Sequence, residues 1–581
     1  MTLLLQSSLC FTVFHPMLKN KSSRASPALR EKSHRIGASA NSTSGAISFH
    51  KHRAPRNHCE TIIDAISSAE PAMQHTRRHS WLFALACVLC TLPLWVSHYP
   101  PMVDIPQHAA QIAAIKGMLQ GGWPYADLFR IQYFTPYWLG YGLVLALSFI
   151  MSTLTALKLV LTVSMAALPW SAARFCHKVG ISETWTWLLL LMPFGFAFHW
   201  GFLSFVVAMP LAFLFLSSAL DLREEQDGRT WLKMVLWVHA LFFAHVLIAA
   251  FSCVIAALML FSPWRGLIAW LRRMAPMLTV LPVAAIWLAL TLSDSTQAHE
   301  PVEWGLRLPM RLQYFLPRMI GAPDVLSVNL LGALVLVLPF LAGAKISRSP
   351  GRWLPFAFYI AFVLLFPVNA MGNAFTASRF GVFGMPLYLL CFTRIQHPNV
   401  DATESRRAAF PVESLAAGIA ILVLGWHTLR ASTIHLQAKG YSDVIAHAAP
   451  GKRMLSMMFD PWSPASSAPT FMHFPSWYQA EHNGLTEFSF AHFYAIPLQY
   501  RDPDSSAIAP GFGWKPDIFN WQLHHGERYD YFMIRSIENR SEWLIGLSNC
   551  TLRLASHSGP WWLYERDPHP SACAPEQAAT N

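Results

Sequence analysis

Charge is what this chain is short of. Of its 581 residues only 13% are charged, with 32 acidic against 43 Lys and Arg. That is about half the charged share of an ordinary soluble domain, and it excludes a chain whose whole surface faces water. Also missing are a Gly-rich loop between a strand and a helix, a paired-Cys zinc pattern and a nucleophile elbow. A nucleotide-sugar donor therefore has no visible docking site. Cysteines number 9, mostly within apolar runs, where a buried free thiol is the usual state. The net charge of +11 is not gathered into one basic stripe but sits at the ends of apolar runs, so no nucleic-acid partner is expected.

What the chain has in quantity is apolar length, at 54% hydrophobic residues. Between Trp81 and Arg430 one run follows another, each separated by a short loop. A segment crossing a bilayer has no water for its backbone and must be helical or buried in protein. The expected fold class is a polytopic α-helical membrane protein, multi-spanning over 81–430, followed by a small α/β or α+β soluble domain over 436–581. Residues 1–80 are rich in Ser, Arg, Lys and His and poor in acids. They read as disordered or as a spurious extension, with Met73 as the alternative start and a transit peptide compositionally possible.

Spans are expected near 81–97, 154–173, 184–198, 202–220, 231–244, 246–261, 274–292, 326–344, 353–370, 379–393 and 412–425, about eleven in all. The run 136–151 begins with Pro136, is short, and is placed at the interface. With that choice the basic clusters Arg174 with Lys178, Arg223 with Arg229, Arg265 with Arg272 and Arg273, Lys345 with Arg348 and Arg352, and Arg394 with Arg406 and Arg407 all fall on one side. Positive loops stay in the cytoplasm, so the N-terminus is expected inside and the C-terminal domain outside. The short runs flanking His245 could instead be one long tilted helix. In the C-terminal domain β-like runs occur at 453–459, 529–534 and 561–564, with helices at 441–448 and 541–546. Cys550 and Cys573 could pair in an oxidising compartment or remain free.

Chemistry is expected on the outward loops. The first holds Asp104 just past a membrane helix and His108 at the start of an amphipathic segment. A carboxylate there can take a proton from an attacking hydroxyl or hold a cation, and low dielectric would raise its pKa; capping the following helix is the plainer role. A second turn carries His199. A metal site would need Asp104, His108, His199 or His245 to converge, an interfacial Trp and His belt explains the same residues, and no metal or cofactor is expected. The stretch 294–324 carries His299, Glu300, Glu303, Arg307, Arg311 and Arg318, suited to a sugar and a lipid phosphate or to a solvated loop. Arg379 stands at the outer end of a span, where an ionisable side chain either snorkels or serves a site.

An opening span, a loop with Asp104 and His108, an interfacial helix, many further spans and a trailing domain on the same face resemble the GT-C superfamily of integral membrane glycosyltransferases. Bacterial relatives of the protein O-mannosyltransferases and the aminoarabinose transferase are the nearest comparison. The resemblance covers about Trp81 to the end. Where that family often has two adjacent acids, this loop reads Val103, Asp104, Ile105. The resemblance implies a lipid-linked-sugar-dependent transferase of the bacterial inner membrane, with its C-terminal domain periplasmic. Asp104 would be the catalytic base, and His108, Glu300, Glu303, Arg307, Arg311 and Arg379 would bind substrate or lipid phosphate. The expected partners are a polyprenyl-phosphate sugar donor, the bilayer, and a glycan, lipid or protein acceptor. The alternatives are a transporter or lipid flippase, or a non-catalytic protein of the same architecture. Transporters usually keep ionisable groups near the midplane of their spans, and this chain gathers its polar groups at one face.

Overall fold

The structure is a computed structural model and describes residues 80–293, 302–304, 308–321, 328–341, 343–370, 374–393, 412–493, 496–502, 505–508, 515–548 and 551–567. The chain divides into two compact units after Glu70, and all described residues belong to the second. The expectations for the N-terminal segment, for His299, Glu300 and Arg307, and for Cys550 and Cys573 lie outside the described residues.

The described part is mostly helical, with a small sheet near the C-terminus. The opening helix α1 (Ser80–Val96) leads into the first loop and α2 (Ile105–Gln120). Next come α3 (Trp138–Ser148) and α4 (Thr153–Lys178). At 11 residues, α3 rises roughly 16 Å, too little to cross a bilayer's hydrocarbon. The chain then passes through a 3-10 segment (Glu183–Phe194), a helical turn (Phe196–Trp200) and the long α5 (Leu203–Glu224). Helices α4 and α5 pack along each other, and both are apolar on nearly every side, as fits helices enclosed by other helices.

Helices α6 (Gly228–Ala244) and α7 (Val246–Leu260) are separated by His245, whose backbone is extended at φ −168 and ψ 112. They pack against each other, so the flanking runs are two helices and not one tilted rod. Then follow α8 (Leu267–Leu278) and α9 (Leu281–Ser293), bent by 52°. After them come α10 (Leu308–Met319), α11 (Val328–Leu341), α12 (Pro350–Leu365), a 3-10 segment (Ser378–Phe383) and α13 (Gly384–Leu390). By length and composition α4, α5 and the helix that ends at Ile445 are long and apolar enough to cross a membrane alone, with a fourth span if α8 and α9 count as one. The eleven runs read from the sequence also include shorter apolar helices and the two 3-10 segments.

Side chains from several of the basic clusters meet at one end, while Arg394, Arg406 and Arg407 lie outside the described residues. Lys178 bonds Ser217 O at 3.0 Å and pairs with Asp221, which Lys233 reaches at 2.9 Å. Arg352 donates to Val179 O at 2.6 Å and to Leu390 O at 3.1 Å, and Arg273 donates to Leu260 O at 3.1 Å. All of these groups lie at the Glu224 end of α5 or at helix ends linked to it. The opposite end of α5, 22 residues and so roughly 33 Å away, meets the first loop. There Val103 N donates to His199 O at 3.2 Å and Asp104 N to Trp200 O at 2.9 Å. Gly201, at φ +77, turns the chain into α5; a Cβ there would press on Ile105 and Met102 at 3.0 Å.

Helix α14 (Val412–Ile445) runs 34 residues, past the end expected for its span, and carries the chain into the C-terminal part without a break. The β-rich segment forms a mixed five-stranded sheet of order β3-β2-β5-β7-β6. Its strands are β2 (Arg453–Met458), β3 (Leu485–Thr486), β5 (Tyr531–Arg535), β6 (Leu552–Ser558) and β7 (Trp561–Arg566). Strand β2 is parallel to β3 and β5, and β7 is antiparallel to β5 and β6. Helix α15 (Ser476–His482) and α16 (Ser541–Leu547) complete it. Two features join this part to the first loop. Strand β1 (Phe129–Ile131) pairs antiparallel with β4 (Leu498–Tyr500), Phe129 opposite Tyr500. Tyr99 packs its ring against Trp477, Phe474 and Tyr441 at 4.9, 5.1 and 5.9 Å.

Candidate functional site

Asp104 is the residue before α2 and caps that helix through its backbone: its carbonyl accepts from His108 N at 3.1 Å, and its side chain makes no cap bond. The carboxyl is thus spared from the plainer capping role. It is buried, at 7% exposure, and His473 Nε2 approaches its Oδ1 at 3.7 Å. Burial pushes the Asp104 carboxyl up to about 8, opposed by the charge of Arg379 nearby. Near neutral pH the site therefore holds a largely protonated carboxyl.

His108, one helical turn on, is buried and bonds Tyr141 Oη through Nδ1 at 2.6 Å. Tyr141 in turn donates to Gln111 Oε1 at 3.3 Å. Burial, with the charges of Arg379 and His473 adding to it, lowers His108 to about 3. Burial lowers His473 to the same level, so both rings are neutral at physiological pH. The two imidazoles share a wall, each set edge-on to Phe490 at 5.5 and 5.3 Å, and His473 also stacks on Phe488 at 5.2 Å with the planes 9° apart.

Arg379 reaches the site from the 3-10 segment between α12 and α13. Its Nε donates to Ala374 O at 2.9 Å, and its guanidinium lies 3.6 Å over the ring of Phe202. Phe202 is the residue before α5, so the stacking sets the cation beside the Trp200 to Gly201 turn that holds Asp104. The segment can lie close because Gly381 has no side chain: a Cβ there would meet Arg318 O at 2.5 Å. Arg318 itself donates to Ser378 Oγ at 2.7 Å and faces the rings of Phe196 and Tyr314 at 4.8 and 5.2 Å.

Of the residues expected from sequence, Asp104, His108 and Arg379 therefore come together. Arg311 instead donates to Val363 O and Phe366 O at 3.2 and 2.6 Å, closing the end of α12. Glu303 forms an isolated bridge with Asn369 and accepts from its side-chain amide. His199 offers its carbonyl to Val103 while its ring neighbours His427 at 5.4 Å; His245 packs against Tyr137 and Phe205. Among the described residues no three His, Cys, Asp or Glu side chains form a group that could hold a metal ion.

The sequence reading missed His473, Tyr141 and Gln107. Gln107 is the fastener: its Nε2 donates to Ser476 Oγ at 2.9 Å and Phe488 O at 2.8 Å, while its Oε1 accepts from Phe490 N at 3.1 Å. These bonds hold the segment bearing His473 against α2. Nothing in the sequence marks one His among 25 as the one that reaches Asp104; a Gln directly after Pro106 is an equally faint signal. The resulting arrangement is a buried acid, a flanking cation and two neutral imidazoles, a set able to move one proton and to meet a developing negative charge.

No family model and no curated protein matches the chain. Among solved structures it is similar to the cryo-EM structure of the arabinofuranosyltransferase AftD from mycobacteria, at 13% sequence identity and a TM-score of 0.43. The match covers 83% of this chain and 41% of that one, so the chain spans about two fifths of that protein's length.

Proposed function

We propose that this chain is a polytopic, GT-C-like membrane glycosyltransferase. It moves a sugar from a polyprenyl-phosphate-linked donor to an acceptor at the outer face of the membrane. The observation that carries the reading is buried Asp104 within reach of the Arg379 charge at the end of α5 opposite the basic helix ends. The positive-inside rule assigns the basic ends to the cytoplasm, which supports an outward-facing site. Gathering of ionisable groups at this one level supports an interfacial enzyme over a transporter, whose charges would line the midplane.

In this reading the acceptor hydroxyl loses its proton to the Asp104 carboxylate as its oxygen attacks the anomeric carbon. The bond from that carbon to the phosphate oxygen breaks, and the electron pair leaves on the phosphate. Arg379, held by Phe202 and Ala374 O, meets the phosphate charge; its planar donors suit phosphate oxygens. The polyprenyl chain is already dissolved in the bilayer, so only the head group has to be captured.

The test is Asp104→Asn in native membranes with a radiolabelled polyprenyl-phosphate sugar. Transfer is expected to fall on the order of 10² to 10⁴-fold, the usual worth of a positioned acid or base, with insertion and detergent-solution Tm retained. Transfer at the unsubstituted level would remove the proposed base.

A further inference from the structure

Asp104 poses a problem that its own loop does not solve. A carboxyl buried this deeply holds its proton near neutral pH, and an acid in that state cannot accept another. The charge of Arg379 pulls the other way but does not overcome burial. The site needs a neighbour that can take the Asp104 proton when an acceptor arrives.

The geometry offers such a neighbour from the far end of the chain. His473 stands in the Thr470 to Phe474 turn, ahead of α15, with its Nε2 3.7 Å from Asp104 Oδ1. Catalytic contacts of this kind often tighten when substrate binds. The ring is held on its other sides: Phe488 stacks on it, Phe490 closes its edge, and Gln107 ties the backbone of both Phe488 and Phe490 to α2. Such an imidazole is pre-positioned, since ordering it costs nothing further when the acceptor binds. Tyr141 holds His108, the other imidazole near Asp104, in a 2.6 Å bond, which leaves His473 as the ring that faces the carboxyl oxygen. Among the described residues the charged and titratable groups around the pair include Arg379 from the 3-10 segment, His108 from α2, Tyr141 from α3 and, beside Arg379 and Tyr141, Tyr137.

We propose that His473, supplied by the C-terminal part of the chain, is the proton partner of Asp104, so that the first loop alone is an incomplete site. This rests on the reading of Asp104 as the base. With the His473 ring lowered to about 3 and the carboxyl raised to about 8, a standing carboxylate–imidazolium pair is disfavoured, so the proton passes from Asp104 Oδ1 to His473 Nε2 only as the acceptor proton reaches Asp104. As the acceptor oxygen bonds to the anomeric carbon and the phosphate departs with the bonding pair, the acceptor proton passes to Asp104. The imidazolium then returns its proton to the departing phosphate or to water, which restores the starting pair. His473 acts through Asp104 and is a positioning and relay residue, with no direct contact to the sugar required.

The test reads Asp104 directly on the full-length protein, by infrared difference spectroscopy of the protonated-carboxyl C=O band, assigned through its loss in Asp104→Asn. In the unsubstituted protein this band titrates with a midpoint set by the pair. His473→Phe keeps the ring stacking and removes the acceptor nitrogen, which disfavours the protonated carboxyl, so the midpoint is expected to move down by one unit or more. His473→Gln, whose amide oxygen can accept the same proton, is expected to move it less. In transfer assays His473→Phe is expected to lower kcat at least tenfold with KM within twofold, and the Asp104→Asn, His473→Phe double variant to be no slower than Asp104→Asn alone. An unmoved midpoint in a His473→Phe variant that keeps its Tm, or fully additive losses, would overturn the pairing. A midpoint that moves as expected in a protein that transfers no sugar from any lipid-linked donor would instead sink the transferase reading and leave the pair standing.

Discussion

Asp104 shows how much one side chain owes to its depth. The same carboxyl on an exposed loop would ionise near the ordinary value of about 4; enclosed by the Trp200 turn, α2 and the His473 segment, it is pushed up to about 8. In its proposed role as base it must give up this proton, so kcat/KM is expected to rise with pH along a limb whose apparent pKa lies near this value, measured in detergent or nanodisc transfer assays. Stability runs the opposite way. The folded state keeps a proton that the unfolded chain gives up, so the stabilisation is complete below the unfolded pKa and is lost as pH rises through about 8. Scanning Tm across that window should show a fall that is shallower in Asp104→Asn, and a parallel fall in both proteins would count against the buried, protonated carboxyl. The residue type and its loop could be read from sequence, because an acid after an apolar run stands out. Its partner could not: His473 reaches it through a fold that joins distant segments, and a histidine has no local pattern announcing that contact.

Helices and strands were legible where periodicity or length settled them. The strands expected at 453–459, 529–534 and 561–564 appear as β2, β5 and β7, with ends displaced by a residue or two. The segment expected to lie at the interface is the short α3. What pattern could not convey was the 3-10 winding of Glu183–Phe194, which has the same apolar composition as an α-helix. Nor could it convey that α14 continues to Ile445, since the helix runs on through Gly425, where the apolar run ends and a stop is expected. The contact of α2 with the α15 region was equally hidden, although it is the joint that assembles the site. Gln107→Ala removes three hydrogen bonds there and leaves Phe490 N buried without its acceptor. The loss is expected to be about 1 to 3 kcal/mol, seen as a lowered Tm in detergent, with transfer falling further than Tm alone explains because His473 is no longer held. A variant with unchanged Tm and unchanged transfer would show that this joint is dispensable.

Over the molecule as a whole, the arrangement separates two chemistries along one helix. Basic side chains are tied into helix ends at the Glu224 end of α5, and Asp104, Arg379 and the β-rich segment lie at the Leu203 end. Cysteines placed at Glu224 and at Glu538, both largely exposed, should therefore react with a membrane-impermeant maleimide from opposite sides of sealed vesicles. Labelling of both from one side would dismantle the proposed topology and the outward-facing site with it. Composition alone sufficed to announce a helical chain for a membrane, because the shortage of charge and the length of the apolar runs are sums that hold for any arrangement of the helices. Partnership was left to the packed structure. Which acid meets which imidazole depends on long-range pairings such as Phe129 with Tyr500 and Gln107 with Ser476, and contacts between residues so far apart along the chain exist only once the backbone has closed around them.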